Sequence, residues 1–221
     1  MSIKIDRENY YYIPNENKHS LSLYNVKNLY EDDFEIMVRF KVDWRSFTKH
    51  NPVGGVVVKN GMHMGIFTKK DYLEGENYYY IVVKVWVVEN GNNNLKELKC
   101  EVDKDLVYEV KLTHNKELKQ IIYVCNDYLD VIVYNEKICD YKNNMLWYGC
   151  SMGFGNDWNE HFHGELIESY ISIKDNIRVF ETTFDKVTEF KVFDESEMGN
   201  HLINFPKESR DHNTVEEKLQ L

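Results

Sequence analysis

Between residues 34 and 44 the chain reads FEIMVRFKVDW, and polarity alternates with a period of two. Phe34, Ile36, Val38, Phe40 and Val42 fall on one face, and Glu35, Met37, Arg39 and Lys41 on the other. This spacing predicts an antiparallel strand with one wet face. GGVVVKNGMHMGIFT (54–68) predicts a hairpin. Asn60-Gly61 tolerates φ > 0 at both central positions of a type I′ turn. The run 78–90 predicts a long strand ending in a loop at 91–94. Further strands are predicted over 106–115, 119–127, 129–138, 147–155 and 164–174, with Asn126-Asp127 turning between the second and third of these. Helical text is confined to 213–221. Pro14, Pro52 and Pro206 interrupt no predicted central strand. Strands spaced roughly ten residues apart with turn signals between them predict an all-β fold, a two-sheet antiparallel β-sandwich or jelly roll.

Composition sharpens this picture. The 221 residues suffice for one large all-β domain, here placed at 1–195, followed by a polar extension at 196–221 that supplies an edge strand plus a tail. With 16 Tyr, 11 Phe and 4 Trp, the chain is rich in rings that fit a pleated, half-buried surface. The formal net charge of −10 and the lack of any basic run argue against nucleic acid as a partner. An acidic surface disfavours anionic membranes, and no apolar run reaches the ~20 residues of a membrane span. The N-terminus lacks the apolar core of a secretory signal. Cys100, Cys125, Cys139 and Cys150 are widely spaced, with no C-x-x-C. Four free thiols and a reducing, cytoplasmic compartment are expected, or an excerpt of a longer chain targeted elsewhere.

The order of DDFEIMVRFKV, the GGVVVKNGMHMGIF hairpin, EVKLTHNKELKQIIYVCNDYLDVI, SMGFG and FHGELIESYISI resembles the concanavalin A-like lectin/glucanase superfamily, in its laminin G-like jelly-roll form. The likeness runs over roughly residues 20–175, in pattern more than identity. It implies that the aromatic-x-Gly step at Phe162–Gly164 introduces a strand returning beside the N-terminal strands. It also implies carbohydrate binding, with calcium in many members and hydrolysis in some. The segment FKVFDESEMGNHLIN (190–204) is similar to a further piece of such domains.

Candidate ligand-binding residues lie in the loop before the strand at 164. Sugars offer hydroxyls in fixed geometry and an apolar C–H face, so a binder needs amides, carboxylates and a ring. Asn156, Asp157, Trp158, Asn159 and Glu160 supply that set within five residues. Asp157 and Glu160, with an Asn side-chain oxygen, also offer calcium ligands, but two carboxylates are too few for an ion that takes 6–8 oxygens unless backbone carbonyls and another loop contribute. The same residue types serve ordinary turns, and Trp158 equally caps a core edge. Trp44 and Arg45 form a second candidate pair, for stacking on a ring or for packing at the rim. His63, between Met62 and Met64, reads as a ligand contact or a polar residue on the wet face. His161 and His163 share a strand face but lack a nameable third zinc ligand.

Three functions are open on this text. The first is a non-catalytic carbohydrate-binding domain, an accessory module of a larger polysaccharide-handling protein. The second is a glycoside hydrolase or lyase using the compact acidic set Glu101, Asp103 and Asp105, which falls at a turn and not on a rigid strand. The third is a protein-interaction or structural module with a protein partner.

Overall fold

The computed structural model describes residues 2–5, 11–13, 29, 32–59, 64–139, 146–151, 160–174, 177–187, 191–196 and 200–204. Among these, strands form in chain order as β1 (Ile3–Ile5), β2 (Tyr11–Ile13), β3 (Phe34–Val42), β4 (Val53–Lys59), β5 (Met64–Leu73) and β6 (Glu76–Glu89). Next come β7 (Asn92–Glu101), β8 (Val107–Asn115), β9 (Gln120–Cys125), β10 (Tyr128–Val133), β11 (Lys137–Ile138) and β12 (Leu146–Tyr148). The last are β13 (Cys150–Ser151), β14 (Glu160–His161), β15 (Gly164–Ile173), β16 (Ile177–Thr182), β17 (Lys191–Val192) and β18 (Leu202–Asn204). A 3₁₀ turn forms at Trp44–Ser46.

Two antiparallel sheets result. The first runs β1-β15-β3-β8-β9-β10, with β16 continuing β1's edge along β15. The second runs β11-β6-β5-β4-β12-β2-β18-β17, with β7 also on β6 and the short β13–β14 pair beside β4. Their inner faces meet in one core. Ile36, Val38 and Phe40 of β3 share that core with Val83 and Val85 of β6, all at most 2% exposed. Tyr123 bridges the layers, donating its hydroxyl hydrogen to the Ile81 carbonyl at 2.9 Å. This is the predicted β-sandwich.

The predicted details differ in places. The tight Asn-Gly hairpin occurs at Asn90-Gly91, where φ is 54° and 73° and Glu89 faces Asn92. At the earlier Asn60-Gly61, Lys59 faces Met64, so four residues separate the paired strands. That connection lies outside the described residues. The predicted loop at 91–94 is instead the start of β7. Its apolar content is low and its outward positions carry Lys99, Glu97 and Asn93, as suits an exposed strand that must not recruit another chain. Met37, read as wet, is 4% exposed. β16 carried no signal strong enough to be predicted. Residues 213–221 lie outside the described set.

A buried histidine gives the fold a pH dependence. His114 is 1% exposed, with Nδ1 2.9 Å from the Asp32 carbonyl and Nε2 2.7 Å from the Tyr134 hydroxyl. Those partners suit a neutral ring donating from Nδ1 and accepting at Nε2. Burial holds its pKa below the ordinary 6.5, against the opposing pull of the Asp32 hydrogen bond. Below about 6.5 the unfolded chain takes up a proton that the folded chain refuses, so this contribution is complete above that pH and declines beneath it. Urea unfolding should therefore show lower stability at pH 5.5 than at pH 7.5. His114→Gln should flatten that slope; an unchanged slope would remove His114 as its source.

Candidate functional site

The chain crosses between the two sheets in very few residues. His161 pairs in parallel with Gly55 in the second sheet, and Gly164 pairs with Val42 and Ile5 in the first. Three residues of extended chain reach about 10 Å, the usual spacing of packed sheets. Phe162 lies midway, 0% exposed, its ring edge-on to Phe40 at 5.7 Å. Its N–H donates to the Gly149 carbonyl at 2.9 Å. Two glycines permit this passage. A Cβ on Gly54 would stand 2.7 Å from the His161 carbonyl oxygen, and one on Gly164 would stand 2.1 Å from that of Lys41.

The loop after β3 docks onto the crossing. Asp43 N–H donates to the His163 carbonyl at 2.9 Å, and the Phe47 and His163 rings meet edge-on at 5.7 Å. Asp43 caps the 3₁₀ turn, accepting from Arg45 N–H at 3.3 Å, Arg45 Nε at 3.1 Å and Ser46 Oγ at 3.0 Å. Burial alone would raise the Asp43 carboxyl, but these bonds outweigh it and hold the pKa below the usual value. From β5, Lys70 N–H donates to the Pro52 carbonyl at 2.8 Å, Lys70 Nζ to the Trp44 carbonyl at 3.3 Å, and the Tyr72 hydroxyl to the Phe47 carbonyl at 2.8 Å. An irregular loop is thereby fixed by both sheets.

Beside this junction lies a cavity of about 660 Å³. Its wall brings together β1, the end of β3 with its 3₁₀ turn, Lys70 and Tyr79 of the β5–β6 hairpin, Lys104 and Asp105 of the β7–β8 turn, and residues 163–165. Ile5, Val42 and Trp44 give it an apolar portion, and the remaining side chains are mostly hydrogen-bonding or charged. The β7–β8 turn is anchored: Val102 N–H donates to the Tyr79 carbonyl at 2.9 Å, and the Tyr108 hydroxyl donates to the Asp103 carbonyl. Tyr108 also accepts from Trp44 Nε1 at 3.3 Å. Burial pushes the Tyr108 pKa up to about 12, so the hydroxyl keeps its proton.

Of the residues singled out in the sequence, Trp44 and Arg45 line this cavity. Trp44 is 5% exposed, its ring packed on Phe47, Tyr79 and Tyr108. Arg45 is 94% exposed and paired with Asp43. Asn156, Asp157, Trp158, Asn159 and His63 lie outside the described residues. Glu160 is placed in β14 by its backbone, and its side chain is likewise outside the description. Of the described residues near them, His163 meets Asp43 and Phe47. Of the acidic set, Asp105 reaches the cavity wall; Glu101 and Asp103 do not line it. Among the described residues no three His, Cys, Asp or Glu are placed to hold a metal ion. No helix among them is long and apolar enough to cross a membrane. Lys4, Lys70, Tyr79 and Lys104 carried no motif. Only the pairing of Lys70 with Tyr79, and of β1 with β15, brings them to one place.

No sequence-family model matches the chain, and no curated protein matches it. Solved structures do. The CBM40 domain of the Ruminococcus gnavus IT-sialidase, bound to α2,3-sialyllactose, superposes with a TM-score of 0.53 at 18% identity, covering 79% of this chain and 91% of that one. A carbohydrate-binding protein of Bacteroides ovatus, so described provisionally, superposes with a TM-score of 0.56 at 12% identity, covering 92% of this chain and 60% of that one. Domains LG4-5 of the mouse laminin alpha1 chain also match, with a TM-score of 0.44 at 10% identity over 75% of this chain and 41% of that one. The chain shares the two-sheet antiparallel β-sandwich fold of the Ruminococcus gnavus domain and the Bacteroides ovatus protein.

The two junction contacts are open to test. Gly164→Ala forces a methyl against the Lys41 carbonyl and should cost about 1–3 kcal/mol in urea unfolding. Tyr72→Phe deletes the bond to the Phe47 carbonyl and should cost about 1 kcal/mol while amide exchange quickens over 44–51. Exchange unchanged there would show that the loop does not depend on Tyr72.

Proposed function

We propose that the chain is a carbohydrate-binding domain whose ligand enters the cavity at the junction of the 43–52 loop, residues 163–165 and the β7–β8 turn. The observation that carries this reading is the cavity itself: about 660 Å³, part apolar and part polar, with walls fixed by hydrogen bonds to two sheets. A sugar needs both kinds of surface, and rigid walls lower the entropic cost of gripping it. The sialyllactose bound by the Ruminococcus gnavus domain and the description of the Bacteroides ovatus protein lend support from the same fold. The finer role proposed is that of an accessory module in a larger polysaccharide-handling protein. Calcium is proposed only through Asp157 and Glu160, since the described residues assemble no metal site.

Glycan-array binding by the intact chain, with calcium and with EGTA, tests both points. Binding to one class of saccharide is expected. EGTA should abolish it if Asp157 and Glu160 hold calcium for the ligand. An array blank under both conditions would overturn the carbohydrate reading.

One observation favours a second reading, a protein-interaction module. The edge strand β10 and the nearby turn expose Leu118 (60%), Leu129 (63%) and Val133 (56%). If that edge pairs with another chain, size-exclusion chromatography should show an oligomer that Val133→Lys returns to a monomer. A monomer at all concentrations would remove self-pairing.

A further inference from the structure

We infer that the cavity selects an anionic ligand, a short saccharide carrying a carboxylate or sulfate group. This inference rests on the carbohydrate-binding reading of the same cavity and adds the charge of what it takes. Over the whole chain acidic residues outnumber basic ones by ten. Along the cavity wall the balance reverses, with Lys4, Lys41, Arg45, Lys70 and Lys104 facing Asp43, Asp105 and Glu165.

Their pairing shows which charges remain available. Arg45 is taken by Asp43 at 3.1 Å. Glu165 stands opposite Lys4 on one neighbouring strand and Lys41 on the other, one carboxylate between two ammonium groups. It also accepts from Ser2 Oγ at 3.2 Å. Among the described residues, no ion pair within 4.0 Å involves Lys4, Lys41, Lys70 or Lys104. Removing the Arg45–Asp43 pair leaves four lysines against Asp105 and Glu165.

Lys70 is the best placed of these. Its side chain is half-buried, with Nζ 5.1 Å from the Tyr72 ring centre and 5.9 Å from that of Tyr79. One N–H is used on the Trp44 carbonyl at 3.3 Å, leaving two for a ligand. A partly dehydrated ammonium held in place gains more from an anionic oxygen than from a hydroxyl, because the bond is charge-assisted. Lys104, exposed on the β7–β8 turn, adds a second positive charge at the same wall. The acidic remainder of the chain opposes a long polyanion that extends past the rim. The fit is therefore to a few sugar units bearing one or two charges.

Amide chemical-shift titrations of the ¹⁵N-labelled chain with glucose, glucuronate, glucose 6-sulfate and inorganic sulfate separate the outcomes. At least one acidic sugar should shift the amides of residues 42–46 and 163–165. It should bind at least about tenfold tighter than glucose, or about 1.4 kcal/mol, at low salt. The advantage should shrink at ionic strengths of about 0.15 M and above, where screening reaches within about 8 Å. The stronger of the two acidic sugars identifies the charged group. Lys70→Met combined with Lys104→Met should abolish the advantage, and Lys70→Arg should retain it, with melting curves confirming that all variants fold. Glucose binding as tightly as its acids would overturn the inference and leave the carbohydrate reading standing. So would acidic-sugar shifts confined elsewhere, or an advantage that survives in the double variant. Inorganic sulfate binding as tightly as the sulfated sugar would uphold an anion site and overturn the carbohydrate reading. No shift with any probe would overturn both.

Discussion

Everything at the candidate site follows from the passage of residues 161–164 from one sheet to the other. At about 3.3–3.6 Å per residue, a chain that leaves one layer at His161 and joins the next at Gly164 must be nearly straight. It has no slack to route around a neighbour. The neighbours must therefore come without a side chain where they touch, which accounts for Gly54, and the crossing must arrive without one, which accounts for Gly164. The reward is that Phe162 is set between the layers, fully enclosed, and ties both to the same few atoms of backbone. The cavity wall inherits that rigidity, since Asp43 hangs from the His163 carbonyl and the whole 43–52 loop follows it.

Rigidity at the rim has an electrostatic counterpart. Loops on a sandwich end are ordinarily free to let charged side chains trail into solvent. Here the loop carbonyls draw a lysine inward: Trp44 holds Lys70, as Phe47 holds the Tyr72 hydroxyl. Cation and loop order each other. The acidic chain thus keeps a positive recess without any basic run in its sequence, because the five contributing cations come from four separate stretches of chain.

That dispersal explains what could and could not be read from the sequence. The layers were legible because alternation is local: Phe34 to Val42 declares its buried face by itself. The Phe162–Gly164 step was legible through resemblance, and its return beside β1 and β3 is observed. β7 was not legible, because Asn92–Glu101 is polar enough to read as loop and becomes a strand through pairing with β6 over its whole length. Residue type alone suggests a two-residue Asn-Gly turn at 60–61, whereas the register leaves four residues there and two at Asn90-Gly91. Trp44 and Arg45 stand out as a Trp-Arg step just after a strand, whereas Lys70 and Lys104 give no local sign. Their meeting depends on hairpin register and on the length of a turn, which are tertiary facts.

The pairing of β18 with β2 reaches beyond recognition. Ile203 and Asn204 are hydrogen-bonded opposite Tyr12 and Tyr11, and β12 flanks β2 on its other side. Early and late chain therefore occupy adjacent lanes of one layer, so the sandwich stays incomplete until residue 204 has been synthesised. During translation β2 waits for a partner nearly two hundred residues downstream, about ten seconds or more at ordinary ribosomal speeds. Its edge stays open for that interval, a window in which a chaperone or a second nascent chain can compete for it.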